Sequence, residues 1–407
     1  MPILAATTTW FEGVCVVSEA VSAQFRFLSL SYRRTGVYVE TLPASQNATD
    51  NGSSASPMTN FPVPTVYAPA LRHFLDTQDF AQPELLRILE LIRLLKDADR
   101  VGACPKLLAG SSLGMIFEEP STRTRISFEV AMTKLGGHAL FLRPGEIHLG
   151  VRESLEDTAK VISSMVDVIE ARTLKHRTVL DLAKYSSVPV LNGLTDYNHP
   201  TQAICDVFTM IEQCGADKAM CDLHVTFVGD ATNVCSSLMM ICTQMGMHFT
   251  HAAPKQYQAP AAWQAIAQEN IKRCGGSLTI TEDVIAAVSD ADFIYTDLWW
   301  WVGQESEIPD RTAAFMPRYQ VNDALLDAAP AGVRFMHCLP ASRGVEVTDA
   351  VLDGPRSIVF EQAENRLHTE KALLVHFVLP HLKQPSRNLR AWHAAKVADF
   401  LAREDDE

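Results

Sequence analysis

Phe117-Glu-Glu-Pro-Ser-Thr-Arg-Thr-Arg-Ile-Ser-Phe128 is the stretch on which the reading of this chain turns. Ahead of it, Leu113-Gly-Met-Ile-Phe117 is a short apolar run that reads as a buried strand. Behind it, Phe128, Ala131, Met132 and Leu135 recur at the spacing of one helix face. The hydroxyls and guanidiniums of Ser121-Thr-Arg-Thr-Arg125 therefore fall where a strand hands over to a helix. Free backbone N–H groups and the positive end of the helix dipole gather at such a point. Ser121, Thr122, Arg123, Thr124 and Arg125 add donors suited to an anion such as a phosphate. A capped helix with two surface arginines is the plainer reading of the same residues, since serine is common at helix starts.

Working outward, strand and helix signals alternate from about residue 70. Helices are expected over 83–96, 121–135, 155–166, 178–185 and 201–213, with strands at 113–117, 168–171 and 188–191. The pattern then restarts, with strands at 223–228, 248–251, 277–281, 293–295, 334–337 and 357–360. Helices are expected at 234–245, 261–274, 283–288 and 369–382. Such alternation implies an α/β fold of two doubly wound parallel-sheet domains, with an active site in the cleft between them. The boundaries read as an extension at 1–65, a first domain at 66–212, a second at 213–366, and C-terminal helices at 367–407 that pack back on the first. In such sheets ligands bind beyond the carboxyl ends of the strands. Ser121–Arg125, Arg172, His199–Gln202 and His337–Pro340 all fall there, and Asp297 and Arg366 occupy similar edges. Packing alone does not ask for polar groups after strand upon strand.

Composition narrows the classes. A chain of 407 residues with 47% hydrophobic and 20% charged residues has the make-up of a globular protein. A formal net charge of −13 argues against a general nucleic-acid binder, though it leaves room for a local cationic pocket built from Arg123, Arg125, Arg172 and Arg366. No apolar run reaches the roughly eighteen residues of a membrane span. The nine cysteines show no zinc-type spacing and read as small buried hydrophobes in a reducing compartment, Cys338 apart. The first sixty residues lack lysine and histidine and end in the polar run Ala44–Pro57, which reads as a disordered extension with a linker. The cytoplasm is therefore the expected location. A mitochondrial transit peptide is the second reading, weakened by Glu12, Glu19 and Glu40 opposite Arg26, Arg33 and Arg34.

Ser121-Thr-Arg-Thr-Arg125, Ala171-Arg172, His199-Pro-Thr-Gln202, His337-Cys-Leu-Pro340 and Ala363-Glu-Asn-Arg366 occur in the order and rough spacing of the aspartate/ornithine carbamoyltransferases. The resemblance covers about residues 70–380, and His-Cys-Leu-Pro is similar to the ornithine-type branch. It implies transfer of the carbamoyl group of carbamoyl phosphate to a primary amine. It also implies a homotrimer with sites at its seams, and no cofactor or metal, arginines neutralising the phosphate instead. Carried over, carbamoyl phosphate would be held by Ser121, Thr122, Arg123, Thr124, His148, Arg172, His199, Gln202, Cys338, Leu339 and Arg366. Arg123, Arg172, His199, Asp297 and Cys338 would carry catalysis, Cys338 orienting the amine and not attacking covalently. His148 would reach a neighbouring subunit.

Asn233, Asp297, Trp301 and Val302 would meet the acceptor. Where ornithine enzymes carry Asp-x-Trp-x-Ser-Met-Gly, this chain has Asp297-Leu-Trp-Trp-Trp-Val-Gly303. Putrescine has no α-carboxylate or α-amino group to satisfy, so apolar walls suit it, whereas a buried zwitterion without partners is costly. Asp196–Gln202, Val228–Cys235, Tyr319–Asn322 and His337–Gly344 also resemble the putrescine branch. Asn233 and Glu146–Ser154 resemble ornithine enzymes instead. Putrescine is therefore the expected acceptor and ornithine the alternative. An N-acetylornithine-type enzyme and a paralogue without turnover are lesser readings.

Overall fold

The chain's apolar runs fold into two sheets in which every strand is parallel to its neighbours. The computed structural model describes residues 70–143, 145, 153–215, 218–301, 303–382 and 387–401. The expected extension, His148 and Val302 lie outside the described residues.

In the first half, helix α1 (Gln82–Arg100) leads to β1 (Ser112–Phe117), α2 (Thr122–Lys134) and β2 (His138–Leu142). Then come α3 (Leu155–Met165), β3 (Val168–Arg172), α4 (His176–Tyr185), β4 (Val190–Leu194) and α5 (Pro200–Cys214). The second half runs β5 (His224–Val228), α6 (Asn233–Gln244), β6 (His248–Ala252), α7 (Ala261–Cys274), β7 (Ser277–Thr281), α8 (Val284–Val288) and β8 (Phe293–Thr296). Helices α9 (Ile308–Phe315) and α10 (Asp323–Asp327) precede β9 (Arg334–His337), and α11 (Asp349–Leu352), α12 (Val359–Val378) and α13 (Arg387–Leu401) follow it. Strand orders are β2-β1-β3-β4 and β7-β6-β5-β8-β9. Each order reverses direction once, between β1 and β3 and between β5 and β8. Those are the points where a crevice opens at the carboxyl edge of such a sheet.

Inner strands β1, β3, β5 and β8 are buried over nearly all their length, as parallel strands under helices must be, and β4, though at an edge, is buried throughout. Edge strands β2 and β7 alternate between exposed and half-buried positions. Helix α2 shows how the opening stretch folds. The Ser121 hydroxyl accepts a hydrogen bond from the Thr124 N–H at 3.3 Å and caps the helix, and Phe128, Ala131 and Met132 turn into the core. Leu135 closes it, and Gly136 at φ +90° reverses the chain, a backbone region that favours glycine.

The halves share a core. Ile92 of α1, Phe208 of α5, Met239 of α6 and Phe377 of α12 belong to one continuous apolar cluster. Buried lysines pin α12 to the first half: Lys371 Nζ of α12 lies 3.1 Å from Asp99 of α1, and Lys96 Nζ of α1 donates to Asn365 Oδ1 of α12.

Three expectations need correcting. No strand forms over 357–360. Ser357 makes an isolated bridge to Phe335, and helix α12 starts at Val359, ten residues before the expected Thr369. The β-branched Ile358-Val359 pair suggested a strand, but Val359, Gln362, Arg366 and Thr369 are buried at helical spacing. The expected boundary at 366/367 consequently falls inside one helix. Strand β2 was not anticipated, because an edge strand gives only a weak apolar signal.

Neighbouring residues of α2 give a test of this packing. Phe128 is fully buried and Ile126 is 56% exposed. Phe128→Ala should cost about 3–5 kcal/mol, and Ile126→Ala no more than about 0.5 kcal/mol. Urea denaturation midpoints of the two variants check this.

Candidate active site

At the carboxyl edge of the first sheet, Phe117 and Arg172 are register partners on β1 and β3. The Glu118 N–H donates to the Arg172 carbonyl at 2.9 Å. Arg123, on the first turn of α2, thus stands near Arg172, which feels its charge. Burial, opposed by Glu170, pulls the Arg172 guanidinium down to about 10, still cationic at neutral pH. Burial, with the charge of Arg366, lowers Arg123 as well. Arg125 does not join them. It lies 3.9 Å from the centre of the Phe141 ring and pairs with Glu129 at 3.4 Å.

His199 ends the loop after β4 and opens α5, its N–H donating to the Ser237 hydroxyl at 2.7 Å. Burial first, then the charges of Arg366, Arg172 and Arg123, hold its imidazole well below the ordinary histidine range. It is therefore neutral at physiological pH, with one donor and one acceptor nitrogen. Arg366, on α12, donates from Nη1 to Gln202 Oε1 at 2.7 Å, and from Nε and Nη2 to Glu370 Oε1 at 3.0 and 2.7 Å. Three guanidiniums, a neutral imidazole and a glutamine amide thus gather at one edge. The Ser121 hydroxyl is engaged by the Thr124 backbone N–H in the helix cap, Thr124 is buried and Thr122 is exposed.

The second sheet supplies the facing groups from its own reversal point. Thr232, after β5, donates its hydroxyl to Asp297 Oδ2 at 3.1 Å, and Cys338, after β9, donates its thiol to Asp297 Oδ1 at 3.2 Å. Burial and the Asp297 carboxylate push the Cys338 thiol well above its usual range. It stays protonated and is not an activated nucleophile. Leu339 takes φ +58°, rare for a side chain of its kind, and its N–H donates to His337 Nδ1 at 2.8 Å. Asp297, His337 and Cys338 hold ligand atoms within 4.8 Å of one another, the group among the described residues with the spacing to hold a metal ion.

Arg123, Arg172, His199, Gln202 and Arg366 come together on one side, with Asp297 and Cys338 across from them. Asn233 spans the join, its amide donating to the Thr195 carbonyl at 2.6 Å. Trp301 is half-buried, and its N–H is taken by the Gln304 side chain at 2.8 Å. Trp299 is a core residue, stacked on Phe315 at 5.0 Å.

Glu170 was missed by sequence reasoning. It is fully buried, both carboxylate oxygens lack a hydrogen-bond partner among the described residues, and burial and Glu370 push its acid well up. The available signal was an acid inside the apolar strand Val168-Ile-Glu-Ala171. Thr232 was missed too; its hydroxyl also caps α6, accepting from the Cys235 N–H at 3.3 Å. Chemically, the first-sheet side suits an anion with several oxygens, and the Asp297 side suits a group that donates hydrogen bonds.

Residues 72–212 match the family model for the aspartate/ornithine carbamoyltransferase carbamoyl-P binding domain, and residues 221–377 match the model for the Asp/Orn binding domain. The chain is 55% identical over 343 residues to the putrescine carbamoyltransferase of Mycoplasma capricolum subsp. capricolum, spanning 82% of this chain and 94% of that one. It is 47% identical over 303 residues to the ornithine carbamoyltransferase of Pyrococcus horikoshii, spanning 74% and 94%. Among solved structures, the ornithine carbamoyltransferase of Pyrococcus furiosus superposes with a TM-score of 0.73 at 46% identity, covering 77% of this chain and 98% of that one.

Gly193 makes room for the buried acid, since a Cβ there would stand 1.8 Å from Glu170 Oε1. Gly193→Ala should destabilise by about 1–3 kcal/mol through overpacking. In a Glu170→Ala background the same change should cost close to nothing, a coupling of about 1 kcal/mol or more in a urea double-mutant cycle.

Proposed function

Since the chain belongs to the aspartate/ornithine carbamoyltransferase family, we propose that this carbamoyltransferase transfers the carbamoyl group of carbamoyl phosphate to putrescine. The products are N-carbamoylputrescine and phosphate, and the reaction is reversible. The observation that carries the choice of amine is the loop Asp297-Leu-Trp-Trp-Trp-Val-Gly303, which puts Trp301 and Val302 where ornithine enzymes have Ser-Met. The 55% identity to a putrescine carbamoyltransferase, against 47% to an ornithine carbamoyltransferase, supports the same choice.

In this reading Arg123, Arg172 and Arg366 hold the phosphate, with Ser121, Thr122 and Thr124 at the helix start. The neutral His199, Gln202 and the backbone around Cys338 and Leu339 face the carbamoyl group. An alkyl ammonium has a pKa near that of lysine, about 10, so the amine sheds a proton before or on binding. Asp297 and Cys338 orient its nitrogen. The nitrogen attacks the carbonyl carbon, a C–N bond forms, and the C–O bond to phosphate breaks. The proton lost by nitrogen leaves on the phosphate. Negative charge grows on the carbonyl oxygen and the leaving group, where preorganised donors matter most. Asn233 and the stretch Glu146–Ser154, which resemble ornithine enzymes, favour ornithine as the second reading.

Initial rates with carbamoyl phosphate and a panel of putrescine, ornithine and N-acetylornithine test the choice. Putrescine should lead ornithine by roughly a hundredfold or more in kcat/KM, and Trp301→Ser with Val302→Met should narrow the gap. Faster turnover of ornithine would transfer the assignment to the second reading. Arg123→Ala should lower kcat by about a hundredfold or more while the fold is kept.

The same reading makes the protein a homotrimer in which His148 completes a neighbour's site. His148→Ala and Arg123→Ala chains, each inactive alone, should regain activity when refolded together, because one mixed site keeps both residues. A fully active monomer in light scattering would overturn it.

A further inference from the structure

Helix α5 carries Gln202 and Asp206 one turn apart, on the same face. Asp206 is fully buried, and its Oδ1 accepts two amide hydrogen bonds: from Gln202 Nε2 at 2.8 Å and from Gln362 Nε2 at 2.6 Å. Gln362 lies on α12, 156 residues away in sequence. An amide held by its NH₂ presents its carbonyl the other way. The carbonyl of Gln202 receives Arg366 Nη1 at 2.7 Å, and the carbonyl of Gln362 receives the backbone N–H of His337 at 3.1 Å, next to Cys338. One carboxylate thus stands between an arginine of the anion side and the strand end that bears the thiol. With either glutamine turned over, an NH₂ would face the Arg366 guanidinium or the His337 N–H, donor against donor, and buried donors left that way are costly.

We propose that Asp206 is a positioning residue for both substrates, setting the carbamoyl phosphate side through Gln202 and Arg366 and the amine side through Gln362 and the His337–Cys338 strand end, while touching neither. The proposal rests on the carbamoyl-transfer reading of the site. Burial pushes the Asp206 acid up to about 7, against the pull of the Gln202 and Gln362 amides and the Tyr295 hydroxyl. Charged and titratable groups face it from α5 (Cys205), α6 (Cys242), β8 (Tyr295), the end of β9 (Cys338) and α12 (Arg366). Its remaining oxygen, Oδ2, has no hydrogen-bond partner among the described residues. An asparagine therefore keeps the accepting carbonyl on the glutamine side, and its NH₂ replaces the one carboxylate oxygen that receives no hydrogen bond.

The test compares Asp206→Leu, Asp206→Asn and Gln362→Met in the full-length protein. Asp206→Leu should raise KM for carbamoyl phosphate and KM for the amine by about tenfold or more each, since misplacement of about 1 Å carries penalties of this order. Asp206→Asn should keep both within about threefold of wild type. Gln362→Met cuts one arm only and should raise the amine KM about tenfold while leaving that of carbamoyl phosphate within about twofold. The Kd of inorganic phosphate, measured by calorimetry on the same proteins, should weaken about tenfold in Asp206→Leu and stay within about twofold in Gln362→Met. That binding needs no turnover, so it scores the role of Asp206 even when the carbamoyl-transfer reading fails. A merely structural Asp206 predicts a smaller active fraction with every KM and Kd unchanged, and that result overturns the proposal. So does an Asn variant as impaired as Leu, or a Gln362→Met variant in which both substrates weaken equally; these last two outcomes decide the matter when Asp206→Leu does not fold.

Discussion

Arg366 is only 2% exposed, and a guanidinium buried so deeply must find acceptors on the protein itself. Glu370, one turn along the same helix, takes two of its N–H groups, and Gln202 and Thr201 of α5 take others. Those acceptors sit on two helices that belong to different sheets in chain order. To satisfy one charge, α12 must leave the second sheet and lie along the helices of the first. Lys371 of α12 then pairs with Asp99 of α1, and Lys96 of α1 donates to Asn365 of α12. The shared apolar core follows from the same placement, as Phe377 of α12 joins Phe208 and Ile92.

The electrostatics of the site follow from dryness as well. Burial moves His199 and Cys338 in opposite directions on the pKa scale but to the same end, since both are kept uncharged. Positive charge is therefore concentrated on guanidiniums, whose geometry is fixed and whose ionisation survives burial. On the other side, Asp297 receives both Thr232 and Cys338. The two sheets meet as a cationic wall and an accepting wall. The division nearly follows the two family domains matched by the halves of the chain, Arg366 being the one cation that the second contributes to the first wall.

Much of this was legible in the residues. The Leu113–Phe117 run, the Ser121 cap and the Phe128/Ala131/Met132 face announced a strand, a turn and a helix, and they are found there. Parallel sheets followed from the alternation of such units. Arg125 was misplaced because periodicity tells which face a residue takes but not that Phe141, on an unforeseen edge strand, would draw its guanidinium. The start of α12 was misread because Ser357-Ile-Val-Phe360 is β-branched, while its burial at helical spacing shows only once the neighbours are in place. Glu170 and Asp206 stayed silent for a related reason. A lone acid in an apolar segment has no local pattern, and its meaning lies in partners such as Gln362, brought near by the fold alone.

The protonated state of Cys338 also bears on durability. Thiolates, not thiols, react with peroxides and electrophiles, and susceptibility follows thiolate character. With burial and Asp297 both holding the proton on sulfur, Cys338 is chemically quiet although it is not fully enclosed. A sulfur can thus stand beside Asp297 as a hydrogen-bond donor while offering little thiolate to such reagents.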